Sequence, residues 1–166
     1  MFNERSEAAR RRILRPWPLR LYLLRNLPLA AAAGLRLERL DAGGCVVALP
    51  GGWRTQNPFR STYFAAQAMA AEMSTGAPAL LLVAGAPAST AMLVTGIKAS
   101  FTKKIQGTSR FTFSDLPAMQ AAIERAAAGG EGETFVARST GRSEDGAVAA
   151  EFEVTWSFKR REAAPR

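Results

Sequence analysis

Glu72 is the residue whose surroundings most invite a chemical question. It lies in the segment Ser61–Thr75, which is rich in Ala and also carries Tyr63, Phe64, Met69 and Met73, with Gln67 as the only other large polar residue. An ionised carboxylate in such a setting is costly to bury unless it is paired or hydrogen-bonded. Two readings follow, and both stay open at this level. Glu72 acts as a general base on water or as a nucleophile, or it lies near the helix end, paired with a Lys or Arg, and serves structure alone. The chain has no His, which removes Ser-His-Asp and Cys-His arrangements, the HExxH motif and most catalytic zinc sites. Cys45 is the single cysteine, so there is no intrachain disulfide and no CxxC pair, and a reducing, cytoplasmic setting is expected. Acid–base work therefore falls to Asp, Glu, Lys, Tyr or water.

Other candidates carry less weight alone. Asn57 precedes Pro58, a common turn opening. Lys98, Lys103, Lys104 and Arg110 gather along two strand-like runs and their turn, where they either meet an anionic ligand or protect an edge strand. Net charge is +8, and residues 1–40 hold nine Arg against three Glu. That balance favours anionic partners. No helix-turn-helix, zinc-finger, RNP or phosphate-loop signature is present. The segment after Arg10-Arg11-Arg12 faintly resembles a leader, but Arg20 and Arg25 interrupt its apolar run. It reads instead as one or two amphipathic helices broken near Pro16 and Pro18, with Leu19, Leu23, Leu24 and Leu27 at helical spacing.

The elements that must position Glu72 read as follows. Leu35–Leu40 and Cys45–Leu49 form a hairpin about Asp41-Ala42-Gly43-Gly44. A loop over 50–58 leads to a helix over 61–75, with Ser61 or Thr62 as N-cap and Gly76 as its stop. Ala79–Ala84 is a short apolar run taken as a strand. Further strands are expected over 91–103, 109–114, 133–142 and 148–159, with a second helix over 116–127. In the last strand Phe152, Val154, Trp156 and Phe158 alternate with Glu151, Glu153, Thr155 and Ser157, giving one buried and one wet face. A helix apolar nearly all round must be covered on nearly all sides. The fold class is therefore α+β, an antiparallel sheet wrapped around a long central helix at about 61–75. Residues 1–30 make a basic helical extension, 31–160 the main domain and 161–166 a disordered tail.

The run NPFRSTYFAAQAMAAEMSTG from Asn57 resembles the core motif of hotdog-fold proteins of the acyl-CoA thioesterase superfamily, and most of all a branch classed as a domain of unknown function. In that superfamily an Asn opens the loop before the central helix and an acidic residue follows fifteen positions later, as Glu72 follows Asn57. Tyr63-Phe64 stand where His-Gly is common. The resemblance extends more weakly over 26–160 and leaves the first 25 residues outside. It implies hydrolysis of an acyl-CoA or acyl-carrier thioester, with Glu72 as base or nucleophile and Asn57 orienting water or the carbonyl, within one chain or across a dimer interface. Backbone N–H groups near Tyr63 and Phe64 would hold the oxyanion, and Gln67 would line the same cavity. Lys98, Lys103, Lys104 and Arg110 would meet the phosphates of the coenzyme A moiety, which enters only as part of the substrate. No cofactor or metal is required. A homodimer, and by further assembly a dimer of dimers, is implied. Two other functions stay open: a non-catalytic acyl-thioester or lipid-binding module, and a peripheral membrane or nucleic-acid adaptor working through the Arg-rich opening, although neither membrane nor nucleic acid is the expected partner.

Overall fold

The computed structural model describes residues 3–162. Three short helices come first: α1 (Glu4–Ile13), α2 (Pro16–Asn26) and α3 (Pro28–Ala33). Pro at the start of α2 and of α3 suits the first helical turn, where its missing N–H costs nothing. Gly34, at φ 77°, closes α3 in the left-handed conformation. The hairpin β1 (Arg36–Asp41) and β2 (Gly44–Leu49) leads through a loop to α4 (Phe64–Gly85). Then follow β3 (Thr90–Phe101), β4 (Ser109–Phe113), α5 (Leu116–Ala128), β5 (Glu133–Arg142) and β6 (Val148–Arg160).

All strand pairs are antiparallel, and the six form one sheet in the order β1-β2-β4-β5-β6-β3. The sheet wraps α4, which packs against β2, β3, β4, β5 and β6, while α5 lies against β5 and β6. This is the architecture expected from the apolar character of the central helix. The alternation in β6 is as expected too: Phe152, Val154, Trp156 and Phe158 are buried, and Glu151 and Lys159 are exposed. Phe152 is the aromatic hinge of the core, edge-on to Phe111 at 5.9 Å and to Phe101 at 5.6 Å.

The central helix differs from the sequence expectation in both its ends. It begins at Phe64 with Tyr63 as N-cap, because Ser61 and Thr62 are held in the preceding loop: the Ser61 carbonyl accepts from the Asn57 N–H, and the Thr62 N–H donates to the Ile105 carbonyl. Gly76 does not stop it. The helix runs through Pro78 to Gly85, so the apolar run Ala79–Ala84 is its last turns and not a strand. An interior Pro costs about 3 kcal/mol. Here Pro78, Ala79, Leu81 and Leu82 are all buried in the core, and that burial outweighs the loss. By length and composition alone α4 would cross a membrane, but half of its most apolar window is buried as the core of this fold.

Two adjacent hydroxyls pin α4 to the sheet. Ser74 Oγ and Ser139 Oγ lie 2.8 Å apart, fully buried, and Trp156 Nε1 donates to Thr75 Oγ1 at 3.0 Å. Ser74→Ala strands the Ser139 hydroxyl, and a loss of about 1–3 kcal/mol in chemical denaturation is expected. The smaller cost of Ser74→Ala made together with Ser139→Ala checks that the stranded group is the cause.

α1 is fixed at two places. Asn3 Nδ2 donates to the Gly85 carbonyl at the far end of α4, and Arg10 Nη1 donates to the Leu40 carbonyl of β1 at 2.7 Å. Leu19 and Leu23 of α2 join the main core, whereas Leu24 and Leu27 face outward, so the apolar residues of the opening divide between two faces. Of the expected tail 161–166, residues 163–166 lie outside the described residues.

Candidate active site

A groove of about 840 Å³ runs between α4 and the helices α1 and α2. Its α4 side carries Glu72, Met73, Gly76 and Leu80, and Trp156 and Met92 reach it from the sheet. Ala9 and Ile13 of α1 and Leu19 and Leu23 of α2 form the opposite wall. This size and apolar character suit a small organic ligand or an acyl chain.

Glu72 is half-buried in this wall, and among the described residues its carboxylate makes no ion pair or side-chain hydrogen bond. Burial pushes its pKa up from the ordinary carboxylate value. Among the described residues, then, no Lys or Arg neutralises Glu72. Gly76 follows one turn later on the same helix face. A Cβ there would lie 2.9 Å from Glu72 Oε1 and 3.2 Å from the Trp156 ring, so glycine leaves the carboxylate and the indole room to share the groove. The other charged groups on the lining are Arg12 and Arg25.

Asn57 is elsewhere. Its Oδ1 accepts from the Phe59 N–H at 3.0 Å and from the Ser61 N–H and hydroxyl at 3.2 Å, which shapes the turn before α4. Its side-chain Nδ2 has no hydrogen-bond partner among the described residues. Tyr63 and Phe64 do not wall the groove. They pack edge-on to each other at 4.8 Å and stay largely exposed at the start of α4. No side chain caps that helix, so the amides of its first turn keep free N–H groups, with the positive end of the helix dipole behind them. Gln67 is buried off the groove, where Nε2 donates to the Thr62 carbonyl and Oε1 has no partner.

The four cations expected at an anion site are scattered along exposed strands and turns, and none lines the groove. Lys98 pairs with Glu153, Lys103 with Asp145 and Arg110 with Glu38, while Lys104 is exposed in the turn after β3. The described residues contain no cluster of three or more metal-ligating side chains.

Sequence reasoning missed Gly76, Trp156 and the whole outer wall. The spacing of Gly76 four residues after Glu72 was a usable signal, because such residues are neighbours on a helix face. The wall had none, since it depends on how α1 and α2 pack across α4.

The family described as domain of unknown function DUF4442 matches residues 17–158. The chain belongs to the DUF4442 family. The match takes in α2, which the sequence resemblance had left outside, and stops short of α1. Several solved structures share the fold of this DUF4442 chain. A Pseudomonas aeruginosa protein of unknown function, described as a probable thioesterase, is 21% identical with a TM-score of 0.72, covering 89% of this chain and 97% of that one. A Chlorobaculum tepidum protein of unknown function is 13% identical with a TM-score of 0.74, covering 89% and 98%. A Haemophilus influenzae thioesterase is 16% identical with a TM-score of 0.61, covering 84% and 88%. No curated protein matches. The DUF4442 chain has the hotdog fold, as its central-helix motif implied.

Proposed function

We propose that this protein hydrolyses acyl thioesters, of coenzyme A or an acyl carrier, in the cytoplasm, with Glu72 as general base or nucleophile. The observation that carries this reading is the half-buried Glu72 carboxylate, without an ion pair among the described residues, in a groove otherwise lined mainly by apolar side chains. A carboxylate with a raised pKa is a better proton acceptor near neutral pH than an ordinary one. Further support comes from the Staphylococcus aureus thioesterase of the same fold, crystallised with a glutamine replaced by alanine and, separately, with a glutamate fifteen positions later replaced, the spacing of Asn57 and Glu72 here.

In this reading the N–H groups at the start of α4 stabilise the oxyanion and the free Asn57 Nδ2 orients the carbonyl or water. Phe64 lies eight residues before Glu72, about 12 Å along the helix axis, too far for both to serve one carbonyl carbon. The reaction centre is then completed by a second copy. The outermost strand β3 offers the place, because Ile97 and Phe101 share the face of buried Val154 and Ala150 of β6 yet are about half exposed. Tyr63 and Phe64 at the start of α4 are exposed as well. An unpaired edge with an uncovered apolar face is what sheet-to-sheet dimerisation covers.

The test is hydrolysis of acyl-CoAs of graded chain length by the wild type, Glu72→Ala and Asn57→Ala, with the mass of the particle measured in parallel. Turnover that collapses in Glu72→Ala supports the reading. Turnover equal to that of Glu72→Ala on every substrate sinks it, and tight acyl-CoA binding without turnover leaves the non-catalytic module in its place.

A further inference from the structure

α2 is apolar on two opposite faces. Leu19 and Leu23 point into the core, while Trp17, Leu21 and Leu24 are 79%, 68% and 60% exposed. At 3.6 residues per turn these last three fall within an arc of about 60°, with Arg20 on one flank and Arg25 on the other. Leu27 and Leu29 continue the exposed surface into α3. Scattered exposed Leu is ordinary, but a stripe of Trp and Leu flanked by Arg is not.

From this surface we infer that the outer face of α2 and the start of α3 dock on an anionic phospholipid bilayer, burying Trp17, Leu24 and Leu29 at the level of the headgroups. The composition is that of helices that lie in the interface plane, with large apolar side chains on one side and Arg at its margins. Charge singles out the partner. From Glu7 to Glu38 the chain has seven Arg and no intervening acidic residue, and among the described residues Arg15, Arg20 and Arg25 have no carboxylate partner. Each Arg near an anionic surface strengthens binding by about fivefold. A second copy of the chain fits worse, because a two-fold contact sets the same Arg-rich patch against itself. Nucleic acid would leave Trp17 and the Leu residues without an apolar partner. The inner face of α2 forms the groove wall, so docking places the groove beside the lipid surface.

The full chain is sedimented with vesicles of phosphatidylcholine alone and of phosphatidylcholine with an equal amount of phosphatidylglycerol. Binding to the mixed vesicles is expected to be tighter by at least about tenfold and to weaken with salt. Trp17→Ser/Leu24→Ser/Leu29→Ser alters only exposed residues outside the groove lining. It is expected to keep the wild-type Tm and to lose at least about tenfold in affinity for mixed vesicles. Arg15→Glu/Arg20→Glu is expected to lose as much, and the wild-type emission to shift to the blue on mixed vesicles but not in Trp17→Phe. The inference is overturned if the wild type binds neither vesicle, or if the triple variant binds as the wild type does. A triple variant that changes the oligomeric mass without lipid also overturns it, since the face would then be an interface between copies.

Discussion

Glu72→Gln is expected to lower kcat/KM for acyl thioesters by about 10²–10⁴-fold while raising the Tm at neutral pH by a few degrees. The first effect is the usual scale of a lost general base, and a lost nucleophile costs no less. The second follows from the same burial. The folded-state pKa of Glu72 lies above the ordinary carboxylate value, so the native state holds its proton to higher pH than the unfolded chain does. Stability therefore falls as pH rises through the interval between those two values, and the penalty persists above it. A neutral amide of nearly the same shape escapes that penalty. The gain, of the order of 0.5–2 kcal/mol for relief of a functional site, should be present at pH 7 and absent below about pH 4, where Glu72 is protonated in both states. The activity of the wild type should fall with acid through a pKa above the ordinary carboxylate range. Melting curves and rates across pH test both statements, and a Glu72→Gln variant less stable than the wild type at neutral pH contradicts the unpaired burial of this group.

Phe152→Ala is expected to cost about 3–5 kcal/mol, the usual range for removing a buried aromatic ring. That is a large share of the roughly 5–15 kcal/mol that holds a domain together. Phe152 is 2% exposed and meets Phe111 and Phe101 edge-on, so the vacated space lies among side chains of β3, β4 and β6. A fall in Tm of about 10 °C follows for a chain of this length. Phe101→Ala, at a half-exposed ring on the outermost strand, should cost much less in dilute solution. Equal losses from the two would show that the edge of β3 is already covered under the conditions of the measurement.

The sheet was the most legible part of this fold because its patterns are local. β6 shows which face is wet by alternating Phe152, Val154, Trp156 and Phe158 with polar residues, and the turns at Asp41–Gly44 and Glu144–Gly146 bear their usual Gly and Asp. The central helix was legible in type and wrong in length. Gly76 and Pro78 weaken a helix wherever they occur, and only the packing of Ala79, Leu81 and Leu82 in the core decides that the helix continues. α3 was missed for want of length: six residues carry little periodicity. Glu72 stood out in the sequence because one carboxylate among Ala and Met is conspicuous. Its surroundings did not, since the groove is made by residues far apart in the chain, Ile13 and Leu23 on one side and Met92 and Trp156 on the other. The four cations failed as a cluster for a related reason. They are close in sequence, but β3 and β4 do not pair in the sheet, and the carboxylates that three of the cations meet, Glu38, Asp145 and Glu153, come from other strands and turns.

The three tryptophans are disposed very unequally: Trp17 and Trp53 are about four-fifths exposed, while Trp156 is 4% exposed beside Gly76 and Glu72. A water-soluble quencher will therefore extinguish the first two and leave an emission that comes from the groove alone. Its intensity should respond to the protonation of Glu72 and to any molecule that occupies the groove, which makes the protein its own optical titration of the proposed site, with no label attached.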